Sequence, residues 1–293
     1  MPNFPIIDTH LHVWDQTRLK YSAFDGHPRF GRPYHVEDYR AACGDVEVEA
    51  MVFLECYADF WEGGGQYIEE IEFVEEEARR DPGIRAIIPM APLEWGAAAL
   101  PLLEQMHDNH PAVRGIRRIM EFDADPRALT LSADFIAGVN LLERFGWSFD
   151  INPNYTQMDI IREFVPQVSS GVPLILDHCG KPGIAQGAIA QFRDDMADLA
   201  RYSNMYVKLS DLPPYAGPGW QEADIRPYIE ATLEAFGPER TIYAGDYPIL
   251  LQATTLPDWA ALLDRAFADL GLSESDIRAI YRDNANRFYR LGL

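Results

Sequence analysis

The sequence predicts an α/β fold, a (β/α)8 TIM barrel formed as a single domain over residues 1–293. Three observations carry that prediction. Eight short apolar, β-branched runs recur along the chain, and each is followed by a helical pattern. Such alternation is the mark of a parallel sheet, and eight units in about 250 residues match a closed barrel in count and size. There is also no Ser/Gly-rich linker, low-complexity tract or composition break to divide the chain. A doubly wound sheet is the alternative, but it would normally carry a Gly-rich turn after its first strand. Here the first strand ends in His12-Val13-Trp14.

The predicted strands are Ile6–His12, Glu49–Cys56, Ile84–Ala91, Val113–Met120, Trp147–Pro153, Pro173–Cys179, Met205–Ser210 and Thr241–Tyr247. In the first, side chains alternate faces, so His10 and His12 point the same way and Asp8 is expected beside them. The helix after the second strand, Tyr67 to Asp81, carries Glu69, Glu70, Glu72, Glu75, Glu76 and Glu77 against Ile68, Ile71, Val74 and Ala78. That spacing reads as a solvated outer face, not a set of metal ligands. The last helix opens at Ser273 with Asp276 three residues on, which resembles a capping box. It is expected to run to Tyr289 across the outside of the barrel.

Composition narrows the partners. A formal net charge of −21 disfavours nucleic acid and anionic membranes, both of which call for dense Lys and Arg. No apolar run approaches a membrane span. Cys43, Cys56 and Cys179 show no CxxC spacing and cannot all pair, so a reducing compartment is the simpler reading. The first residues, Met1-Pro2-Asn3-Phe4-Pro5, carry no basic n-region or long apolar stretch, and the cytoplasm is the expected location. Association of identical copies is left open.

Barrel enzymes build their sites at the C-terminal ends of the strands. Those ends supply His10 and His12 from strand one, Glu55 from two, Arg117 from four, Asp150 and Asn152 from five, His178 from six, Lys208 and Ser210 from seven, and Asp246 from eight. Each has a plain structural explanation. Asp177 and Asp246 could cap the following helix. Lys208 or Arg117 could pair with Glu55 or Asp150 as a charged layer inside the barrel. Taken together they favour function, because burying so many ionisable groups is costly unless they pair, bind metal or do chemistry.

At this point the residues carry a family likeness. Ile7-Asp8-Thr9-His10-Leu11-His12-Val13-Trp14-Asp15, Leu176-Asp177-His178-Cys179-Gly180-Lys181-Pro182 and Gly245-Asp246-Tyr247-Pro248 are the specific segments. Arg114-Gly115-Ile116-Arg117, Val207-Lys208-Leu209-Ser210 and Asp283-Asn284-Ala285-Asn286-Arg287-Phe288-Tyr289 accompany them in order. The chain resembles the amidohydrolase superfamily, in the branch of single-domain hydrolases that includes sugar-acid lactonases. The resemblance implies metal ligands at His10, His12, His178 and Asp246, with Asp246, His178 and Arg117 as catalytic residues. It implies a substrate contact from Arg117; the strand-end residues Glu55, Asn152 and Lys208 and the loop residue Trp14 are further expected contacts, with Glu55 either a further metal ligand or a partner that orients a His. One departure stands out. Many relatives place a His at the end of strand five, where this chain reads Asp150-Ile151-Asn152, and no Lys at strand four offers a bridging ligand. One Zn²⁺, or none, is therefore expected rather than two.

The expected substrate is a small lactone, opened by attack of an activated water on its ester carbonyl. Loop aromatics suit a compact polyhydroxylated ring: Trp14, Tyr21, Phe24, His27, Phe30 and Tyr34 after strand one, Tyr57, Phe60 and Trp61 before Gly63-Gly64-Gly65, and Tyr215 and Trp220 after strand seven. Most of these could equally anchor long loops. An aromatic or muconolactone-type dicarboxylate would require several cations, for which Arg117, Arg118 and Lys208 are the candidates. A Zn-dependent decarboxylase of the same superfamily and a barrel that binds without turnover are the remaining readings.

Overall fold

The computed structural model describes residues 2–56, 58–59 and 66–293. The alternation seen in the sequence resolves into eight parallel strands: β1 (Ile6–Leu11), β2 (Val48–Leu54), β3 (Ile84–Ile88), β4 (Gly115–Arg117), β5 (Ser148–Ile151), β6 (Leu174–Leu176), β7 (Met205–Leu209) and β8 (Thr241–Tyr243). They form two sheets ordered β1-β2-β3 and β4-β5-β6-β7-β8. Single bridges join the sheets at both seams, Ile87 to Val113 and Leu11 to Tyr247, supported by backbone bonds from Ile87 N to Ala112 O and from His12 N to Tyr247 O, each 2.9 Å. Each predicted strand is present and shorter than its apolar run, because the run continues into the loop that leaves the strand.

Alternation separates two layers. Met51, Phe53, Ile116, Phe149, Leu174, Leu176, Val207 and Leu209 pack outward against the helices. Ile7, Ala50, Val52, Leu54, Ala86, Ile88, Ile175 and Ile242 fill the interior. Above that apolar floor the same inward register brings Arg117, Asp150, Asp177 and Lys208 into the barrel, all essentially without solvent exposure.

Three local expectations are corrected. Asp8 does not share a face with His10 and His12. The β1–β2 register shifts between Asp8 and Leu11, and a bulge of this kind swaps the faces of the residues after it. Asp8 instead accepts bonds from the Tyr39 hydroxyl (2.8 Å) and from Gly245 N (2.7 Å). A Cβ at Gly245 would lie 2.3 Å from Asp8 Oδ2, so this approach needs glycine. Next, the helix Tyr67–Arg80 is not polar all round outside its apolar stripe, since Glu70 and Glu77 are fully buried. Glu77 accepts from Val36 N at 2.9 Å and lies 3.1 Å from His35 Nδ1, and Glu70 accepts from Cys56 N at 3.2 Å. They tie the helix to neighbouring loops.

The C-terminal segment also departs from expectation. Its capping box at Ser273 and Asp276 is present, and a π-helical turn at Ala279–Asp283 leads into the final helix Asn284–Tyr289. That helix does not lie across the outside. Ala285, Phe288, Tyr289 and Leu291 join the interior cluster and close the lower end of the barrel. Tyr289 Oη donates to Asp150 Oδ2 at 2.9 Å, connecting the plug to the charged layer.

Lys208 Nζ sits 2.6 Å from Asp150 and 2.9 Å from Asp177, all three fully buried. Removing one partner of such a group strands the others in low dielectric. Lys208→Met is expected to cost roughly 3–5 kcal/mol in urea unfolding. Adding Asp150→Asn should cost less than the two single changes summed. Additive losses would mean that the charges act independently.

Candidate active site

Four strand ends build the site, and at three of them the backbone is held in an unusual state. Non-glycine residues with φ near +50° are His178, Cys179, Lys181, Asp211, Asp246 and, far from the site, Arg290. Left-handed backbone costs an L-residue about 1–2 kcal/mol. Five of these six described residues follow β6, β7 or β8. There the turn aims a side chain inward that an ordinary strand exit would direct elsewhere.

His10 Nε2 and His12 Nε2 face each other at 3.1 Å. Asp246 Oδ1 lies 3.3 Å from each. His12 Nδ1 is 2.9 Å from the Leu54 carbonyl, which can only accept, so this nitrogen carries the proton and Nε2 presents its lone pair. His10 is flanked by Lys208 Nζ at 3.4 Å from Nδ1 and by Arg117 Nη1 at 3.1 Å from Nε2. Burial first, then the nearby cations, hold its pKa well below the usual histidine value. It is a neutral imidazole at pH 7.

His178 stands on the other side of Asp246. Its ring centroid is 4.5 Å from that of His10. Its Nδ1 lies 3.0 Å from Ser210 Oγ and 4.0 Å from Asp246 Oδ2. Burial lowers its pKa to about 4, against the opposing pull of Asp246 and Asp177. Asp246 responds in the opposite sense. Burial would raise it, but His178, His12 and a hydrogen bond from Asp211 hold it below the ordinary carboxylate value. Asp211 is pushed well above that value by burial and by the charge of Asp246, with which it shares a hydrogen bond. Of the two carboxyls, Asp211 holds a proton more tightly than Asp246.

Asp211 is a residue of this cluster that sequence reasoning misses. The end of strand seven points to Lys208 and Ser210, and Asp211 is one residue beyond. The available signal is an acid directly after a strand end, but only the left-handed turn that brings it inward gives it meaning.

The remaining predicted residues fall into a supporting shell. Arg117 Nε donates to Glu55 Oε1 (2.8 Å), Nη2 to the Glu55 carbonyl (2.7 Å) and Nη1 to Asp177 Oδ2 (3.1 Å). Glu55 thus orients Arg117, and no described metal-compatible group contains it. Burial would raise Asp177, but Lys208 and Arg117 outweigh it and hold its pKa at about 2. Two expected substrate contacts lie enclosed in the protein. Lys208 has no exposed surface and is engaged by Asp150 and Asp177. Trp14 is equally enclosed. It stacks on Phe24 with centroids 4.4 Å apart and donates Nε1–H to Arg32 O at 2.9 Å. It anchors the first loop together with buried Tyr21, Phe30 and Tyr34. Asn152 is buried at the end of β5, and its Oδ1 lacks a hydrogen-bond donor. Tyr57, Phe60, Trp61 and Gly63-Gly64-Gly65 lie outside the described residues.

A metal fits one point of this site. Ligand atoms about 2.0–2.2 Å from a tetrahedral Zn²⁺ stand roughly 3.3–3.5 Å apart. The His10, His12 and Asp246 atoms have that spacing within a few tenths of an ångström. His12 Nε2 turns its lone pair toward this point, since its Nδ1 proton goes to the Leu54 carbonyl. The other described groups within ligand range are His10, Asp177 and His178, and His178, Asp211 and Asp246. In the first of these, Asp177 is already paired with Lys208 and Arg117. Cys43, Cys56 and Cys179 are buried free thiols and join none of the groups.

Comparison with known proteins gives the family. A crystal structure of an amidohydrolase from Burkholderia multivorans, described with bound zinc, superposes with a TM-score of 0.85 at 26% identity, covering 98% of this chain and 99% of that one. An L-fucono-1,5-lactonase of B. multivorans is 31% identical over 189 residues, spanning 61% of this chain and 63% of that protein. An L-rhamnono-gamma-lactonase of Scheffersomyces stipitis is 23% identical over 99% of this chain and its own full length. The sequence profile of the amidohydrolase family matches residues 7–291. With that match running from β1 into the C-terminal plug, the chain belongs to the amidohydrolase family.

Proposed function

We propose that this protein hydrolyses the lactone of a sugar acid to the open-chain hydroxy acid. The observation that carries the reading is the placement of Asp246, its carboxyl held below the ordinary value, 3.3 Å from two imidazole nitrogens and next to Asp211. The names of the lactonase relatives support the ester class of substrate. A Zn²⁺ held by His10, His12 and Asp246 would polarise the ester carbonyl and lower the pKa of a nearby water.

The protein's own residues do the rest. Asp246 accepts a proton from the attacking water, and the water oxygen bonds to the carbonyl carbon. Arg117 and His10 hold positive and dipolar groups on the side where the oxyanion develops. When the tetrahedral species collapses, the ring C–O bond breaks and the departing alkoxide takes a proton. Asp211 and Asp246 hold that proton between them, and His178, bonded to Ser210, orients the carboxylate. The product is a hydroxy acid, and no redox partner is needed.

A dicarboxylate lactone is less well supported. Arg117 and Lys208 are committed to buried carboxylates, and Arg118 faces away onto Glu94 (2.9 Å) and Asp123 (3.0 Å). A decarboxylase or a binding-only barrel remains distinguishable by product.

Two outcomes are expected. In pH-indicator assays of aldonolactones, wild-type protein should release acid, and Asp246→Asn should lose at least about 10³-fold in kcat while keeping its far-UV spectrum and melting temperature. Retained turnover would remove Asp246 as the base, and CO₂ release from an unsaturated acid would favour the decarboxylase. Titration of metal-stripped protein with Zn²⁺ should saturate at one equivalent per chain, and His12→Ala should abolish tight binding. Two equivalents would overturn the single-metal reading.

A further inference from the structure

Residues 178 to 181 form a left-handed turn, with φ of 51°, 52°, 72° and 49°. It closes with a bond from Lys181 N to His178 O at 2.9 Å. Catalytic geometry explains His178, but not the strain extended to Lys181. The turn folds the Lys181 side chain over the strand ends, where its ammonium meets Glu121 from the loop after β4. Both side chains are about nine-tenths buried, at 9% and 12% exposure. Phe122, more than half exposed, lies beside them with its ring centroid 5.8 Å from the ammonium. Asn154, from the loop after β5, donates to Glu121 Oε1 across a long 3.4 Å. Two residues earlier is Asn152, with its buried and unpartnered Oδ1. Lys181 closes the same turn that presents His178, its N bonded to the His178 carbonyl, which places the group at the rim of the reacting site.

We infer that Lys181, Glu121 and Asn152 form a subsite that binds adjacent ring hydroxyls of the lactone. An ammonium has three donors and a carboxylate about four acceptor positions. One contact between the two leaves donors and acceptors side by side. A vicinal diol needs that arrangement, since each hydroxyl both donates and accepts. A substrate carboxylate or phosphate would meet Glu121 and be repelled, so the subsite selects neutral polyhydroxylated rings. A site whose buried polar groups await a hydroxyl discriminates strongly against an analogue that lacks it.

This inference rests on the lactonase reading for its substrate, but it is tested by binding. Calorimetry on zinc-loaded protein with a hexonate, the open-chain polyhydroxy acid, and with hexanoate separates the hydroxyls from the carboxylate. Lys181→Met is expected to weaken hexonate binding about 10- to 100-fold, the loss of one charge-assisted hydrogen bond, and hexanoate binding less than about 2-fold. Glu121→Gln, which preserves the contact between the two loops, should show the same selectivity and decides the matter if Lys181→Met fails to fold. Equal weakening of both ligands would reassign Lys181 to the carboxylate and overturn the subsite. Unchanged affinities, or no preference for hexonate in wild type, would overturn it as well. Turnover of hydroxylated hexonolactones by wild-type protein judges the lactonase reading separately. Its failure alongside hexonate selectivity would sink that reading and leave the subsite standing.

Discussion

The buried ion layer under His10 is the constraint on which the rest of the site depends. Lys208 and Arg117 converge on Asp177 from β7 and β4, at 2.9 and 3.1 Å. Asp150 and Glu55 take their remaining contacts. An isolated buried charge is prohibitively costly, and a network of this kind is tolerable only when its members are mutually satisfied. The consequence for chemistry is local. His10 stands directly above two cations and stays neutral, so its lone pair is available to a metal. An apolar layer of the same volume would fold as well or better, and burial alone would lower His10, but only the cations add their further push in the same direction. Tyr289 extends the coupling to the last helix, so closure of the lower end and order of the upper face are parts of one network.

Backbone strain is the second element of the design. His178, Asp211 and Asp246 are each reached through a left-handed residue at the exit of a different strand. The apolar layers on both faces of the sheet must offset that strain, which fits the unbroken inward and outward registers of β5 and β7. Stability is gathered in the body of the barrel and spent at its rim. The same logic places Asp211 and Asp246 close enough to share one proton, an arrangement two free carboxylates would not adopt.

Much of this is legible in the sequence, and the failures have physical causes. Strand count, strand order and the gathering of His10, His12, His178 and Asp246 at one end follow from apolar periodicity and from the position of polar residues at the ends of runs. Asp8 is misplaced by simple alternation because a bulge adds a residue without leaving a local sequence mark. The final helix is expected outside because its amphipathic pattern looks alike whether it covers a barrel wall or plugs its floor. Trp14 and Lys208 are expected at the ligand because residue type tells nothing about enclosure. Asp211 and the Lys181 turn cannot be foreseen, since positive φ at a non-glycine residue is imposed by tertiary packing. Glu70 and Glu77 show the same limit, two acids on a charged helix that find buried backbone donors or a histidine.

The central claim is that the charged layer presents His10 and His12, with Asp246, as a single three-ligand metal site. Zinc K-edge X-ray absorption on protein loaded with one equivalent tests it most directly. The account predicts only nitrogen and oxygen scatterers at about 2.0–2.2 Å, with imidazole outer-shell features from two rings. A sulfur scatterer near about 2.3 Å, or a first shell without imidazole, would contradict it.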